Sequence, residues 1–291
     1  MMLRYQITLI VFLSICVHLL SCENTHQILK PAISPNTADV PGGMVLIPAG
    51  EFQMGSTDSE SDFSEQPIHT VYVDAFYMDT HEVTNAEYKK FVDANPQWQK
   101  GTIDERFHEG NYLAHWNENN YPSGQANYPV IQVSWYAAVA YAKWVDKRLP
   151  TEAEWERAAR GGLVGKKYSW GNRIQPRHAN YGKHIGGPTP VGQYAPNAYG
   201  LYDMVGNVWE WCLDEYDAGF YAVSPRENPI AGARTVEAVI SNFLEVKTPR
   251  VFRGGAWLTP PEGVRVSNRF KMPPAYSNFY YGFRCVRDVM P

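Results

Sequence analysis

The chain has 291 residues and a formal net charge of -4, and it holds no run of Lys or Arg longer than pairs such as Lys89-Lys90 and Lys166-Lys167. That balance gives no electrostatic footprint for nucleic acid, and no such partner is expected. Aromatics make up 14% of the chain, with nine Trp and nineteen Tyr beside 23 Gly and 21 Pro. This is a turn-rich composition, unlike that of a helical bundle, and its length suits one large domain that needs no metal or disulfide staple.

At the amino terminus Arg4 precedes an apolar run from Ile7 to Leu20. The run is short for a membrane span and ends in small residues, as secretory signals do. Residues 1–22 are therefore expected to be a signal peptide. Its end, Leu19-Leu20-Ser21-Cys22, resembles the bacterial lipobox, which places a lipid on Cys22 and the protein on a membrane of the bacterial cell envelope. Residues 23–40, with Pro31, Ser34 and Pro35, read as a flexible tether, and the folded domain is expected over 41–291. Once the signal is removed, Cys212 and Cys285 are the remaining thiols of that domain. In an oxidising compartment they either pair or are both buried.

Met44 to Gly55 contains two apolar runs split by Pro48-Ala49-Gly50, which predicts a hairpin. The alternation from Val71 to Met78 predicts one strand. Thr84 with Glu87 forms a capping box, so a helix starts there and buries Tyr88, Phe91 and Val92. Ser134 caps a second helix that carries Trp135, Ala138, Val139, Tyr141, Ala142 and Val145. Thr151 with Glu154 opens a third, whose small face of Ala153, Ala158 and Ala159 suits a close approach to another element. Beyond Gly161 helix signals nearly vanish, and strands are expected over Arg250 to Leu258 and Gly282 to Arg287.

Seven blocks in order over about 240 residues carry a resemblance far more specific than any single motif. They are MVLIPAGEFQMG (44–55), DTHEVTNAEY (79–88), YPVIQVSW (128–135), RLPTEAEWERAARGG (148–162), GLYDMVGNVWEW (200–211), RGGAW (253–257) and GFRC (282–285). The chain resembles the formylglycine-generating enzyme, or sulfatase-modifying factor, family. The resemblance implies an α+β fold of low regular content related to C-type lectins. Arg148, Glu154, Trp155 and Arg157 read as structural, a capped helix packed by one Trp and fringed with ion pairs.

The resemblance further implies calcium bound by Asp203, the carbonyls of Gly206 and Val208, and Glu210, a donor set of hard oxygens that suits the ion. Without the resemblance, Asp203 and Glu210 read as turn and surface residues. A second family calcium site would use Asn180 and the Tyr181 carbonyl, but its partner loop, Lys183 to Gly187, carries no carboxylate.

The family's oxidation relies on copper(I) held by two cysteines. Those positions fall here on Thr259 and Val264, and the Ser of the Gly-Gly block is Ala256. Copper(I) requires soft thiolates, so copper and oxidase chemistry of that kind are not expected. The eight His are scattered, and His108 and His115 are seven apart on an insertion. No nucleophile elbow, phosphate-binding Gly loop or zinc signature is present. Two readings result. One is a surface-anchored binding or structural module that uses its aromatic side chains for an envelope protein, peptide or glycan. The other is an enzyme that modifies exported proteins through a different metal or residual chemistry.

Overall fold

The computed structural model describes residues 40–289. The signal, Cys22 and nearly all of the tether lie outside them. The two apolar runs at the start form strands β1 (Met44–Ile47) and β2 (Gly50–Met54), but these do not pair with each other as a hairpin. Antiparallel partners come instead from the next segment, which the alternation pattern read as one strand. It breaks at Asp74-Ala75 into β3 (His69–Val73), paired with β2, and β4 (Phe76–Asp79), paired with β1. Two polar side chains explain these departures. Arg157 donates from Nε to the Pro48 carbonyl at 3.0 Å and from Nη1 to that of Glu51 at 3.2 Å, holding the corner between β1 and β2 open. Gly50 takes φ +149°, which L side chains rarely adopt, so that corner favours glycine. Asn228 accepts from Asp74 N at 2.9 Å and donates to Asp74 Oδ2 at 2.8 Å, tying down the break between β3 and β4.

The three expected helices form where their caps place them. Helix α1 (Asn85–Ala94) starts from the Thr84 box, in which Thr84 N donates to Glu87 Oε2 at 2.8 Å. Helix α2 (Trp135–Trp144) is capped by Ser134, with Val145 at its C-cap, partly buried against the same core. Helix α3 (Glu152–Arg160) has the Thr151 box and ends on Gly161 at φ +56°, the left-handed conformation that glycine adopts at least cost. A fourth short helix, α4 (Val236–Ser241), was not expected; Thr235 caps it by accepting from Ala238 N at 3.2 Å.

The second half contributes a four-stranded sheet in the order β7 (Phe270–Met272), β6 (Arg250–Arg253), β5 (Trp209–Glu215) and β8 (Tyr281–Gly282), with β8 parallel to β5. The strand expected to reach Leu258 stops at Arg253 because Gly254 and Gly255 both take positive φ, +91° and +75°. The one expected from Gly282 to Arg287 divides. Its end, β9 (Val286–Asp288), pairs with β4 and completes a three-stranded sheet β1-β4-β9. Between the two pieces Arg284 turns inward. Regular structure is sparse and mixed, as an α+β, C-type-lectin-like fold requires. Two apolar clusters fill the interior, one around α1, α2 and β8, the other between α3 and the strands β2, β3 and β6. Among the described residues no helix is long and apolar enough to cross a membrane.

Candidate functional site

The double-glycine turn after β6 opens the loop that carries both expected cysteine positions. Thr259 Oγ1 accepts from Ala256 N at 3.0 Å, which closes the loop on itself. A Cβ at Gly263 would lie 2.5 Å from Thr259 Cγ2, and one at Gly255 would lie 2.5 Å from Val264 Cγ1. Both glycines thus make room for methyl groups. Thr259 is 7% exposed and Val264 fully buried, so the place where the resemblance implies two thiolates is filled by a hydroxyl already engaged and by hydrocarbon. Neither supplies the soft donor that copper(I) needs.

The two thiols of the domain do not compensate. Of the alternatives left open by the sequence, the structure takes burial: Cys212 and Cys285 are both free and fully buried, and they do not form a disulfide. The reason is their packing. Cys212 sits on β5 in the cluster beneath α3, while Cys285 belongs to the cluster beneath α1 and α2. Burial pushes both thiols well above the usual cysteine range, so neither is a ready thiolate.

The Gly200–Trp211 block forms a tight loop leading into β5. Asp203, Gly206 and Asn207 have φ of +56°, +85° and +57°. Gly206 is demanded by contact as well as by φ, since a Cβ there would meet Asn180 O at 2.2 Å. Asn207 is the knot of the loop. Its Oδ1 accepts from Thr189 N at 2.9 Å and its Nδ2 donates to Glu82 Oε1 at 3.0 Å. Asp203 Oδ2 accepts from Gly192 N at 2.7 Å. Glu210, on β5, is held by Arg284, which donates from Nε to Oε2 and from Nη2 to Oε1, each at 2.8 Å, while Trp155 Nε1 donates to Oε2 at 2.8 Å.

The loop therefore gathers three buried carboxylates, Glu82, Asp203 and Glu210, around one buried guanidinium. Burial raises the Glu82 and Asp203 carboxyls above the usual carboxylate range, and Glu82 is pushed further by Asp203. Glu82 Oε2 and Asn180 Oδ1 are buried without a hydrogen-bond partner. Uncompensated buried oxygens of this kind fit a hard cation. No three His, Cys, Asp or Glu side chains among the described residues converge closely enough to hold a metal between them. An ion here would draw on carbonyls as well as carboxylates. Glu82 and Arg284 lie inside blocks quoted from the sequence, but no spacing singled either out.

His108 and His115 do not meet. His108 Nδ1 accepts from Gly110 N at 2.9 Å, and His115 Nδ1 lies 2.6 Å from Gln132 Oε1.

Under α3 the structure shows a second polar cluster, of which the sequence reading named only Arg148, Glu154 and Arg157, as a structural fringe of ion pairs. Every residue of α3 is buried. Glu152 receives Arg269 at 2.6 and 2.8 Å and Arg253 at 3.0 Å, Glu156 receives Arg160 and Arg253, and Arg148 grips Glu154 through two bonds of 2.7 Å. Asp214, by contrast, accepts only backbone N–H groups, from Glu152 at 2.7 Å and Ala231 at 2.9 Å. Burial, then the neighbouring Glu152, raises its carboxyl to about 7.

A run of aromatics borders the Thr259 loop. Trp257 and Phe279 have ring centroids 6.1 Å apart and Phe279 and Tyr280 4.9 Å, and Asn278 Nδ2 donates to the hydroxyls of Tyr276 and Tyr280 at 3.3 Å. Phe279 is 48% exposed. A separate cavity of about 300 Å³ includes Asp58, Arg160, Lys166, Lys167 and Arg265 in its lining. Lys167 is paired with Asp58 and Glu60, Arg160 with Glu156, and Arg265 with Glu65, which leaves the cavity little free charge to attract an ion.

This fold, with its loop-borne site between a double-glycine turn and a Gly-Asn turn, defines the class of the protein. Residues 30–289 match the sulfatase-modifying factor enzyme 1-like domain, and the chain belongs to that family. It is 38% identical over 248 residues to serine/threonine-protein kinase pkn1 of Chlamydia pneumoniae, covering 84% of this chain but 38% of that relative, so the chain spans well under half of its length. It is 35% identical over 317 residues to the formylglycine-generating enzyme of Streptomyces coelicolor, covering 89% of this chain and 96% of that one. Among solved structures it is similar to PvdO from Pseudomonas aeruginosa, with a TM-score of 0.67 and 26% identity over 84% of this chain and 94% of that one.

Proposed function

We propose that this protein is a lipid-anchored member of the bacterial cell envelope that does not perform the formylglycine oxidation and serves as a binding or structural module for a protein, peptide or glycan of the envelope. One observation carries the reading. Thr259 and Val264, closed in by Gly263 and Gly255, stand where two copper-binding thiolates would have to be, and both thiols of the domain are buried elsewhere. Removing both soft ligands deletes a reaction centre rather than tuning it. The aromatic run Trp257, Phe279 and Tyr280 offers flat apolar faces beside that loop, suited to peptide or sugar stacking. The name of the chlamydial relatives brings no kinase activity with it, since the matched share of that protein is 38% and this sequence has no phosphate-binding Gly loop.

Calcium belongs to the same proposal as a structural ion. Asp203, Glu210 and the Gly206 and Val208 carbonyls would hold it, and its role is to neutralise the acidic loop and fix the entry to β5. The unpaired Glu82 Oε2 beside that loop supports a cation there. The likeness to the Streptomyces coelicolor enzyme favours the second reading, an enzyme acting on exported proteins.

Aerobic incubation of the purified protein with a sulfatase-type peptide, copper and a thiol reductant separates the two readings. Mass spectrometry should show the peptide cysteine unchanged. Aldehyde formation that survives Cys212→Ser and Cys285→Ser would establish an enzyme with a different centre.

A further inference from the structure

We infer that the face around the Thr259 loop binds an acidic glycan, whose carboxylates meet a collar of free cations and whose sugar rings stack on the aromatic run. The inference rests on the binding-module reading above and names the ligand of that module.

The charge of the chain is unevenly distributed. Residues 157–202 contain seven Lys and Arg and no Asp or Glu, in a chain whose net charge is -4. Three of the seven are already engaged: Arg157 holds the corner after β1, Arg160 pairs with Glu156, and Lys167 pairs with Asp58 and Glu60. The other four, Lys166, Arg173, Arg177 and Lys183, are exposed and form no ion pair among the described residues. Free charges of one sign gathered in this way draw in a ligand of the other.

The same segment is tied to the loop that lacks the cysteines. At the end of that loop the Lys167 carbonyl accepts from Val266 N at 2.8 Å and the Tyr168 hydroxyl donates to the Pro261 carbonyl at 3.1 Å. At its start Gly182 N donates to the Thr259 carbonyl at 2.9 Å and Lys183 N to the Trp257 carbonyl at 2.7 Å. The chain that carries the cations is held in place. Trp170 stacks on Tyr168, with centroids 5.7 Å and planes 13° apart, lies 5.0 Å from the His178 ring, and donates from Nε1 to the Arg173 carbonyl at 2.8 Å. Between Trp257 and Val266 the loop has a single carboxylate, the exposed Glu262, which the four cations outnumber.

Two features select a glycan over an acidic peptide. Trp257 and the 48% exposed Phe279, 6.1 Å apart by ring centroids, begin at the point where Lys183 is anchored and offer flat faces for sugar rings. No strand lies between Arg160 and Trp209, so the collar has no open ladder edge on which an extended peptide could pair its main chain. The guanidinium forks of Arg173 and Arg177 match carboxylates in shape as well as charge.

The test is calorimetric titration of the full-chain protein with polygalacturonate oligosaccharides, with the same oligosaccharides after reduction of their carboxyls to alcohols, and with polyglutamate. The expected result is saturable binding of polygalacturonate that weakens as salt is raised, and binding of the reduced sugar at least about tenfold weaker. Arg173→Gln combined with Lys183→Gln, both at exposed positions, should weaken polygalacturonate binding about tenfold, about threefold for each exposed ion pair lost. Lys90→Gln, an exposed lysine of α1, should leave it unchanged. Equal binding of the charged and the reduced sugar would overturn the role of the collar while supporting a binding module. Polyglutamate bound as tightly as the glycan would overturn the choice of ligand. Absence of binding to all three would overturn the inference, and the peptide oxidation assay above would still decide the module reading independently.

Discussion

Replacing Trp155 by Phe tests whether α3 and the acidic loop are joined as the structure has them. The indole fills the space between α3 and the double-glycine turn, where a Cβ at Gly254 would lie 3.1 Å from its Cζ2, and its Nε1 donates to Glu210 at 2.8 Å. Arg253 lies over its face, 5.4 Å from the centroid. Phe keeps an aromatic face for Arg253 but loses the donor and part of the ring. A hydrogen bond to a charged group contributes about 1.5–3 kcal/mol. A void of roughly 40 Å³ at about 24 cal/mol per Å³ adds about 1 kcal/mol. Trp155→Phe should therefore cost about 3 kcal/mol, or a fall in Tm of roughly 6–12 °C for a domain of this size. Urea denaturation should show a lower midpoint at unchanged slope, as expected of a change in the native state alone. A loss below about 1 kcal/mol would show that the Trp155 to Glu210 bond contributes little and would refute the coupling.

Asp214 gives a pH dependence of defined sign. Burial raises its folded carboxyl to about 7, well above the usual aspartate range, so its contribution to stability is fully present below the unfolded value and is lost as pH rises through 7. Chemical denaturation should show the protein gaining stability from pH 8 to pH 5, and Asp214→Asn should flatten that slope; an unchanged slope would remove Asp214 as its source. Glu156, whose carboxyl is lowered by Arg160 and Arg253 against the opposing cost of burial, acts in the other direction, and only once the pH falls into the carboxylate range. Metabolic labelling with a fatty-acid analogue should mark the wild-type protein and not Cys22→Ala, and equal labelling of both would rule out the lipid anchor.

The parts of the fold legible in the sequence were those fixed by local chemistry. Thr84, Ser134 and Thr151 cap helices through bonds that span three residues, so their signals sit within a short window. Strand pairing was not legible, because β1 and β2 are kept from forming a hairpin by Arg157, more than a hundred positions away. The same holds for the break after Val73, which depends on Asn228. At the candidate site, the two positions that lack cysteine could be counted from Gly254-Gly255, whereas the methyl-filled packing around them could not. Glu82 and Arg284 became visible only when residues 74 or more apart met, since nothing in the local pattern distinguishes a buried carboxylate from one in solvent. Helix α3 shows the same limit, as its charges are buried by partners from β6 and the segment before β7.

The central claim is that this member of the family has no soft metal centre in its Thr259–Val264 loop. A copper(I) titration of the reduced protein against a chromophoric chelator tests it most directly, because it asks about the ligands rather than any particular substrate. The account predicts that the chelator keeps the copper, for wild type and for Cys212→Ser with Cys285→Ser alike. Retention of one copper(I) per chain by the doubly substituted protein would contradict it.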